Sequence, residues 1–248
     1  MNRSDDPATA RPFLTARWES LILLNYECRR ELLEPLVPAG TELDAWRGHT
    51  LISLVGFMFR DTRVLGVPVP FHRTFEEVNL RFYVRRVVND EVRRGVVFIR
   101  ELVPRHAIAL VARWRYNEPY LAVPMSSSIT LDRASGGHAR YTWSFRRHEY
   151  ALDALATGPA RPFESDSEAA FITEHYWGYT RQRDGGTIEY RVDHPSWPCW
   201  EPDGFRFEGH GELLYGREFG GILAGPPRSA HLAVGSEIAV HHGRTLPV

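Results

Sequence analysis

Lysine is absent from this sequence, so all 30 of its basic residues are arginines. An arginine side chain stays protonated and cannot act as a neutral amine nucleophile. The chain therefore cannot form a Schiff base between a lysine and a carbonyl substrate, and any carbonyl chemistry must proceed by another route.

Cysteine, long apolar runs and net charge are also scarce. Cys28 and Cys199 are the only cysteines and stand far apart, which favours neither a disulfide framework nor a metal-ligand cluster. No run approaches the ~18 apolar residues of a membrane helix, and residues 1–12 lack the apolar segment of a secretory signal. The net charge of −1 gives no general attraction to nucleic acids or anionic membranes. We therefore expect a cytoplasmic protein with a disordered tail at residues 1–12 and no nucleic-acid or membrane partner.

Common catalytic motifs are missing as well. The sequence has eleven histidines but no H-E-x-x-H pattern, no G-x-S-x-G elbow and no glycine-rich nucleotide loop. We expect no metal, no cofactor and no serine nucleophile. His175 is placed on a predicted helix, where packing is the favoured role, and His194 opens a proline-rich loop, where it caps a turn or reaches a pocket.

The pattern of apolar residues predicts a β-rich α+β domain spanning residues 13–248. Helices are predicted at 29–37 and 166–178, the second capped by Ser165 with Glu168. The proline-rich stretches 60–75 and 194–204 are predicted loops or lids, and turns are predicted at 89–90, 136–137, 185–186 and 220–221. Many strands and few helices favour an antiparallel barrel or two packed sheets with peripheral helices. Strands are predicted at 50–59, 77–86, 95–102, 107–116, 139–147 and 186–194.

The predicted strand at 77–86 carries the most informative polar pattern. Side chains alternate between the two faces of a strand, so Val78, Leu80, Phe82 and Val84 share one face. The other face is shared by Glu77, Asn79, Arg81, Tyr83 and Arg85. Glu77 and Arg81 lie ~13 Å apart along a regular strand, too far to pair but close enough to reach one ligand. The pattern fits either a pocket or a solvent-facing polar edge.

A second candidate segment follows at 112–125. Arg113 is suited to bind a carboxylate, because a guanidinium group matches two carboxylate oxygens. Pro119 is predicted to end the strand pairing and to place Tyr120 at a turn. His106, between two apolar strands, is either a structural residue or part of the site lining.

Six segments together resemble the YqjF-like family of the acetoacetate-decarboxylase-like superfamily, and the resemblance runs from Phe13 to Val240. It implies a cone-shaped antiparallel β-barrel with flanking helices and a site inside the cone. The segments are ELLEPLVPAGTELD (31–44), FEEVNLRFYVRR (75–86), ARWRYNEPY (112–120), FITEHYWGYT (171–180), DHPSWP (193–198) and GPPRSAHLAVGSEIAV (225–240).

The chain lacks one catalytic motif of that superfamily. Phe75-Glu76-Glu77 resembles the aromatic-x-Glu motif of the decarboxylases, with Glu77 at the acidic position. Their Pro-Lys-Lys motif, which supplies the Schiff-base lysine and its activating neighbour, is replaced here by Pro119-Tyr120-Leu121. The resemblance therefore implies the fold and the pocket location but not the decarboxylase mechanism.

The leading hypothesis is a pocket protein that binds a small, anionic molecule and acts as a lyase, hydratase or isomerase on an organic acid or carbonyl compound. In this hypothesis Glu77 moves a proton and Tyr120 donates a hydrogen bond to a developing oxyanion. Either Arg113 or Arg81 holds a carboxylate. Asn79, Tyr83 and His106 complete the substrate-binding set.

Two alternatives remain open. One is a non-catalytic binding or sensing protein that uses the same pocket, and the other is an interaction module whose cone is filled by aromatic side chains. An enzyme predicts a titratable group with a shifted pKa in a ligand-sized cavity. A pure binder predicts an apolar cavity with one anchoring arginine, and the interaction module predicts no cavity. The sequence leaves homo-oligomerisation undecided.

Overall fold

The computed structural model describes residues 11–68, 72–104 and 119–246. Most of the expected tail, the predicted strand at 107–116, and the candidate residues His106 and Arg113 lie outside the described residues. Within these ranges sixteen strands form a sheet of twelve strands and a sheet of four. No described helix is long and apolar enough to cross a lipid bilayer.

The elements occur along the chain as follows. The strands are β1 (Leu14–Glu27), β2 (Glu42–Leu43), β3 (Leu51–Val64), β4 (Val67–Pro68), β5 (Phe75–Val88), β6 (Glu91–Val103), β7 (Tyr120–Ala122), β8 (Met125–Ile129), β9 (Gly136–Phe145), β10 (His148–Thr157), β11 (Trp177–Arg181), β12 (Thr187–Asp193), β13 (Cys199–Trp200), β14 (Gly204–Glu208), β15 (Ser229–Val240) and β16 (Arg244–Leu246). The helices are α1 (Arg30–Leu33), followed by a 3-10 turn at Glu34–Leu36, α2 (Glu168–Thr173), α3 (Gly211–Tyr215) and α4 (Arg217–Leu223).

The large sheet curls until its ends meet. Its strands follow the order β15-β1-β3-β5-β6-β11-β12, and β12 pairs with β15 again at Asp193 and Ala239. These seven strands therefore form a ring of hydrogen-bonded neighbours. Most pairs are antiparallel, as expected, but β6 pairs in parallel with both β7 and β11. Residues 104–119 separate β6 from β7, and β11 begins later still, so both connections are longer than a hairpin loop, which permits parallel pairing.

The small sheet, with strand order β14-β10-β9-β8, covers the outer face of β3 and β5. Val78, Leu80 and Phe82 of β5 pack in one core cluster with Tyr141 and Leu152 of the small sheet. This cover explains why the β3 sequence is nearly continuously apolar, because both of its faces are buried.

Two predicted turns have different outcomes. Asn89 and Asp90 have φ values of 49° and 65° and form the tight β5–β6 hairpin, which confirms the prediction. Gly220 and Gly221 lie inside α4, so the turn predicted there is wrong. A methyl group on Gly220 would lie 2.2 Å from the backbone nitrogen of Glu212, so glycine allows α3 and α4 to approach each other closely.

The helix predictions are right in position but not in length. Residues 29–37 contain α1 and its 3-10 turn, as expected. The second helix is shorter than the predicted 166–178 at both ends. Ser167, not Ser165, caps it by accepting a hydrogen bond of 3.1 Å from the Ala170 backbone. The helix ends at Thr173, because the chain must turn to start β11 at Trp177.

Several strands extend beyond the predicted bounds or were not predicted. β3 continues to Val64, so residues 60–64 are not part of a loop. Tyr120 is not at a turn but begins β7, where it pairs with Glu101 of β6. The long strands β1, β10 and β15 were not predicted.

Candidate small-molecule site

A cavity of about 330 Å³ lies on the inner face of the large sheet. Strands β1, β3, β5, β6, β11, β12 and β15 all contribute to its wall. Its existence contradicts the alternative in which aromatic side chains fill the cone. The aromatic part of the lining consists of Phe13, Trp18, Phe57, Phe59, Phe75, Phe98, Tyr120, Trp177, Tyr190 and Trp197.

Strand β5 supplies the main polar side chains of this wall. Glu77, Asn79 and Arg81 line the cavity, as the alternation of the strand predicts. Their apolar neighbours on β5 face the small sheet instead. The polar edge is therefore turned toward the cavity rather than toward bulk water.

Glu77 is almost fully buried, with 3% of its surface exposed. Its carboxyl group accepts a hydrogen bond of 3.0 Å from the Asn79 amide nitrogen and one of 3.3 Å from the Tyr120 hydroxyl. Two donors from two strands thus fix one buried carboxyl group in the cavity wall. The Asn79 side-chain oxygen is buried and has no hydrogen-bond partner among the residues described.

Arg81 lies further along the same strand. Its Nη2 donates to the Ile172 carbonyl at 3.1 Å, and its guanidinium carbon lies 5.7 Å from the centroid of the Tyr83 ring. Its Nε is buried without a hydrogen-bond partner in the described part of the chain, and no described acidic side chain forms an ion pair with it. This cation is therefore available to an anionic ligand.

Tyr83 shares this face of β5 but lies in the core beside the cavity rather than in its wall. Its hydroxyl forms a short hydrogen bond with the Ser53 hydroxyl, which donates to the Asn25 side-chain oxygen at 2.6 Å. Its ring centroid lies 4.6 Å from that of His175. The ring of Tyr83 thus contacts both His175 and Arg81. A direct contact between Tyr83 and a substrate stays a prediction.

Glu101 is a buried acid in the cavity wall that the sequence analysis did not select. It lies on β6 directly opposite Asn79. The one available signal was an acidic residue within an otherwise largely apolar strand. The site therefore holds two carboxyl groups on neighbouring strands.

Three histidines, His72, His175 and His194, also line the cavity, and the last two have shifted pKa values. Burial, followed by the nearby charges of Arg81 and Arg94, lowers the pKa of His175 well below its usual value. His175 lies just after α2, so its predicted position on the helix is wrong, although its ring packs against Phe171 of α2 at a centroid distance of 5.5 Å. Burial also lowers the pKa of His194, whose Nδ1 donates to the Pro195 carbonyl at 3.0 Å. Both rings are therefore neutral at neutral pH.

Comparison with known proteins identifies the family. A family model of uncharacterized conserved proteins, DUF2071, matches residues 15–237. The chain belongs to the DUF2071 family. It is also similar to the uncharacterized protein YqjF of Bacillus subtilis (strain 168), with 31% identity over 184 residues, which is 72% of each chain.

Solved structures show that this DUF2071 protein has the acetoacetate-decarboxylase-like fold. An acetoacetate decarboxylase from Legionella pneumophila superposes with a TM-score of 0.65 at 13% identity, covering 96% of this chain and 88% of that one. The enduracididine biosynthesis enzyme MppR, complexed with pyruvate, gives a TM-score of 0.66 at 15% identity, covering 98% and 93%. The family resemblance and the fold class inferred from the sequence are thereby confirmed.

A metal centre has no support in the described ranges of this DUF2071 protein. No three histidine, cysteine, aspartate or glutamate side chains lie close enough there to hold a metal ion. The polar groups that line the cavity suit hydrogen bonding, proton transfer and the binding of an anion.

Proposed function

We propose that this DUF2071 protein is an enzyme in which Glu77 moves a proton on a small organic acid or carbonyl compound, without a covalent intermediate. The observation that carries the proposal is the buried Glu77 carboxyl group, held by two hydrogen-bond donors in the wall of a ligand-sized cavity. A buried carboxyl group in such a cavity commonly acts as a general acid or base.

The reaction begins with the Glu77 carboxylate removing a proton from the carbon next to the substrate carbonyl. The electron pair of that C–H bond moves toward the carbonyl and leaves an enolate, whose oxygen is stabilised by a hydroxyl donor. Tyr120 supplies that donor, because its hydroxyl already lies beside the carboxyl group. The proton then returns to another atom, as in an isomerase, or a leaving group departs, as in a lyase or hydratase.

Two features support this choice over a Schiff-base reaction and over a simple binder. The chain has no lysine, so no imine can form on that residue type. The cavity holds two buried carboxyl groups and a histidine with a lowered pKa, whereas a pure binder needs only an anchoring cation. The structural neighbour MppR, solved with pyruvate bound, indicates that this fold accommodates a small oxo acid in that protein.

The test is hydrogen-isotope exchange, which measures proton transfer without knowledge of the full reaction. Pyruvate and 2-oxobutyrate are incubated with the protein in D₂O, and loss of the proton signal next to the carbonyl is followed by NMR. We expect catalysed exchange, and we expect Glu77→Gln to slow it by about 10²- to 10⁴-fold. The matched control is Glu76→Gln, since Glu76 lies on the same strand but binds Ser127 of the small sheet at 2.8 Å.

The outcomes separate the two functional hypotheses. Exchange that persists unchanged in Glu77→Gln contradicts the proton-transfer role. Saturable binding of these acids without any exchange favours the non-catalytic binding protein, an alternative that the largely aromatic wall of the cavity supports.

A further inference from the structure

One end of the cavity is a continuous aromatic wall. The ring centroids of Trp18 and Phe57 lie 5.3 Å apart, those of Trp18 and Phe59 lie 5.9 Å apart, and Phe59 stacks on Phe75 at 4.6 Å. All four side chains line the cavity. A ligand as small as pyruvate has no apolar group to cover this surface, whereas a bulky apolar substituent removes it from water.

The other end of the cavity is cationic. Arg81 lies four residues along β5 from Glu77, which pairs with Phe57 of the aromatic wall, or about 13 Å by the rise of a strand. A partly buried guanidinium group without an acidic partner in the described residues is stabilised by an anion that completes its hydrogen bonds. A carboxylate has the planar shape that this group binds best.

A third feature lies between the two ends. The Asn79 side-chain oxygen is buried without a described partner, and its orientation is fixed because its amide nitrogen donates to Glu77. An unpaired acceptor requires a donor from the ligand. A hydroxyl group near the carboxylate of the ligand supplies one, in the middle of the cavity and beside Glu77.

We infer that the cavity binds a 2-hydroxy acid, or the enol form of a 2-oxo acid, that carries an aromatic or similarly bulky apolar substituent. Arg81 binds the carboxylate, Asn79 accepts from the hydroxyl group, and the substituent lies against the aromatic wall. This inference deepens the proposed function and rests on it only for the identity of the site. It names the substrate class on which Glu77 acts.

Binding of four probes tests each contact separately. The probes are 3-phenyllactate, lactate without the ring, 3-phenylpropionate without the hydroxyl group, and 3-phenylpropane-1,2-diol without the carboxylate. Dissociation constants are measured by titration calorimetry at pH 7.5 in the wild type, because the Glu77 carboxyl group fixes the orientation of the Asn79 amide. We expect 3-phenyllactate to bind about 30-fold or more tightly than lactate and than the diol, and about 5- to 10-fold more tightly than 3-phenylpropionate.

Variants on β5 assign the carboxylate contact. Arg81→Gln should weaken 3-phenyllactate about 30-fold and leave the diol unchanged. The matched control is Arg85→Gln, because Arg85 lies four residues further on the same strand but pairs with Glu42 at 2.9 Å, away from the cavity. It should leave both affinities unchanged. Circular dichroism checks that each variant is folded, and the comparison of acid with diol needs no arginine variant at all.

Equal affinity for lactate and 3-phenyllactate overturns the inference, and so does a diol that binds as tightly as the acid. The proposed function is tested independently of this inference. If the aryl acids bind as expected but no 2-oxo acid exchanges protons in the wild type, the ligand class stands and the proton-transfer role falls. If pyruvate exchanges rapidly and the aryl acids do not bind, the proton-transfer role stands and the inferred ligand class is wrong.

Discussion

We expect the buried side chain of His175 to make this protein less stable as the pH falls. His175 is 7% exposed, and its ring lies between those of Tyr83 and Phe171, with centroid distances of 4.6 and 5.5 Å. Neither ring nitrogen has a hydrogen-bond partner among the described residues, and Arg81 and Arg94 add positive charge nearby. Protonation of His175 in the folded state is therefore strongly unfavourable, and its pKa lies well below 6.5.

The unfolded chain has no such restriction, so its histidine binds a proton with a pKa near 6.5. Above that pH both states are neutral at this position, and the full stability is present. Below it the unfolded state binds more protons than the folded state, so the free energy of unfolding falls as the pH falls. One such group contributes about 1.4 kcal/mol per pH unit, or about 2 kcal/mol between pH 8 and pH 5.

The measurement is urea denaturation at half-unit steps from pH 8 to pH 5, followed by tryptophan fluorescence, for the wild type and His175→Phe. Phenylalanine keeps the ring contacts and cannot titrate. Its curve should lose about 2 kcal/mol less over this range than the wild-type curve, whatever its absolute stability. His210→Gln, which alters an exposed histidine, is the control. Parallel curves for the wild type and His175→Phe would refute the assignment of a neutral, buried imidazole.

Three further predictions follow from described contacts. Glu189 is fully buried at its side chain and pairs with Arg86, Arg93 and Arg244, so Glu189→Gln should lower the free energy of unfolding by about 3–5 kcal/mol in chemical denaturation. A loss below about 1 kcal/mol would contradict it. By the same measurement, Ser167→Ala should lower the free energy of unfolding by about 1 kcal/mol, and Ser165→Ala should leave it almost unchanged. The opposite result would support the capping box inferred from the sequence. Burial raises the pKa of Cys28 to about 11, so a thiol reagent at pH 8 should label it only after unfolding, and rapid labelling of the native protein would show that this site opens.

The polar row on β5 was predictable because a regular strand has a fixed period of two. Glu77, Asn79 and Arg81 face the cavity while Val78 and Leu80 face the small sheet, as alternation requires. The sequence left open whether the polar face met water or a cavity. That outcome depends on the other strands of the ring, which no local pattern describes.

Glu101 escaped prediction because β6 is not regular. Arg81 pairs with Phe98 and Leu80 with Arg100, so one extra residue, Ile99, forms a β-bulge. The bulge reverses the alternation and brings both Phe98 and Glu101 into the cavity wall. Simple alternation would have placed these two side chains on opposite faces.

Similar irregularities shape the aromatic wall. Ser20 and Asp61 have φ values of 56° and 51°, at the two register shifts between β1 and β3. The shift at Ser20 allows Trp18 and Leu21 on β1 to line the same cavity, although they are three positions apart. Positive φ values at non-glycine residues are uncommon and carry no clear mark in the sequence.

The sequence by itself determined the absence of lysine chemistry, the family, the β-rich fold class and the polar face of β5, because these depend on composition, motifs and strand periodicity. Only the tertiary structure decided that this face meets a cavity, that Glu101, His175 and the aromatic wall share it, and that Tyr83 lies beside it. These features depend on bulges, on register between distant strands and on the pairing of β12 with β15. Such contacts arise between segments far apart in the chain, where local propensity carries no information about which side chains meet.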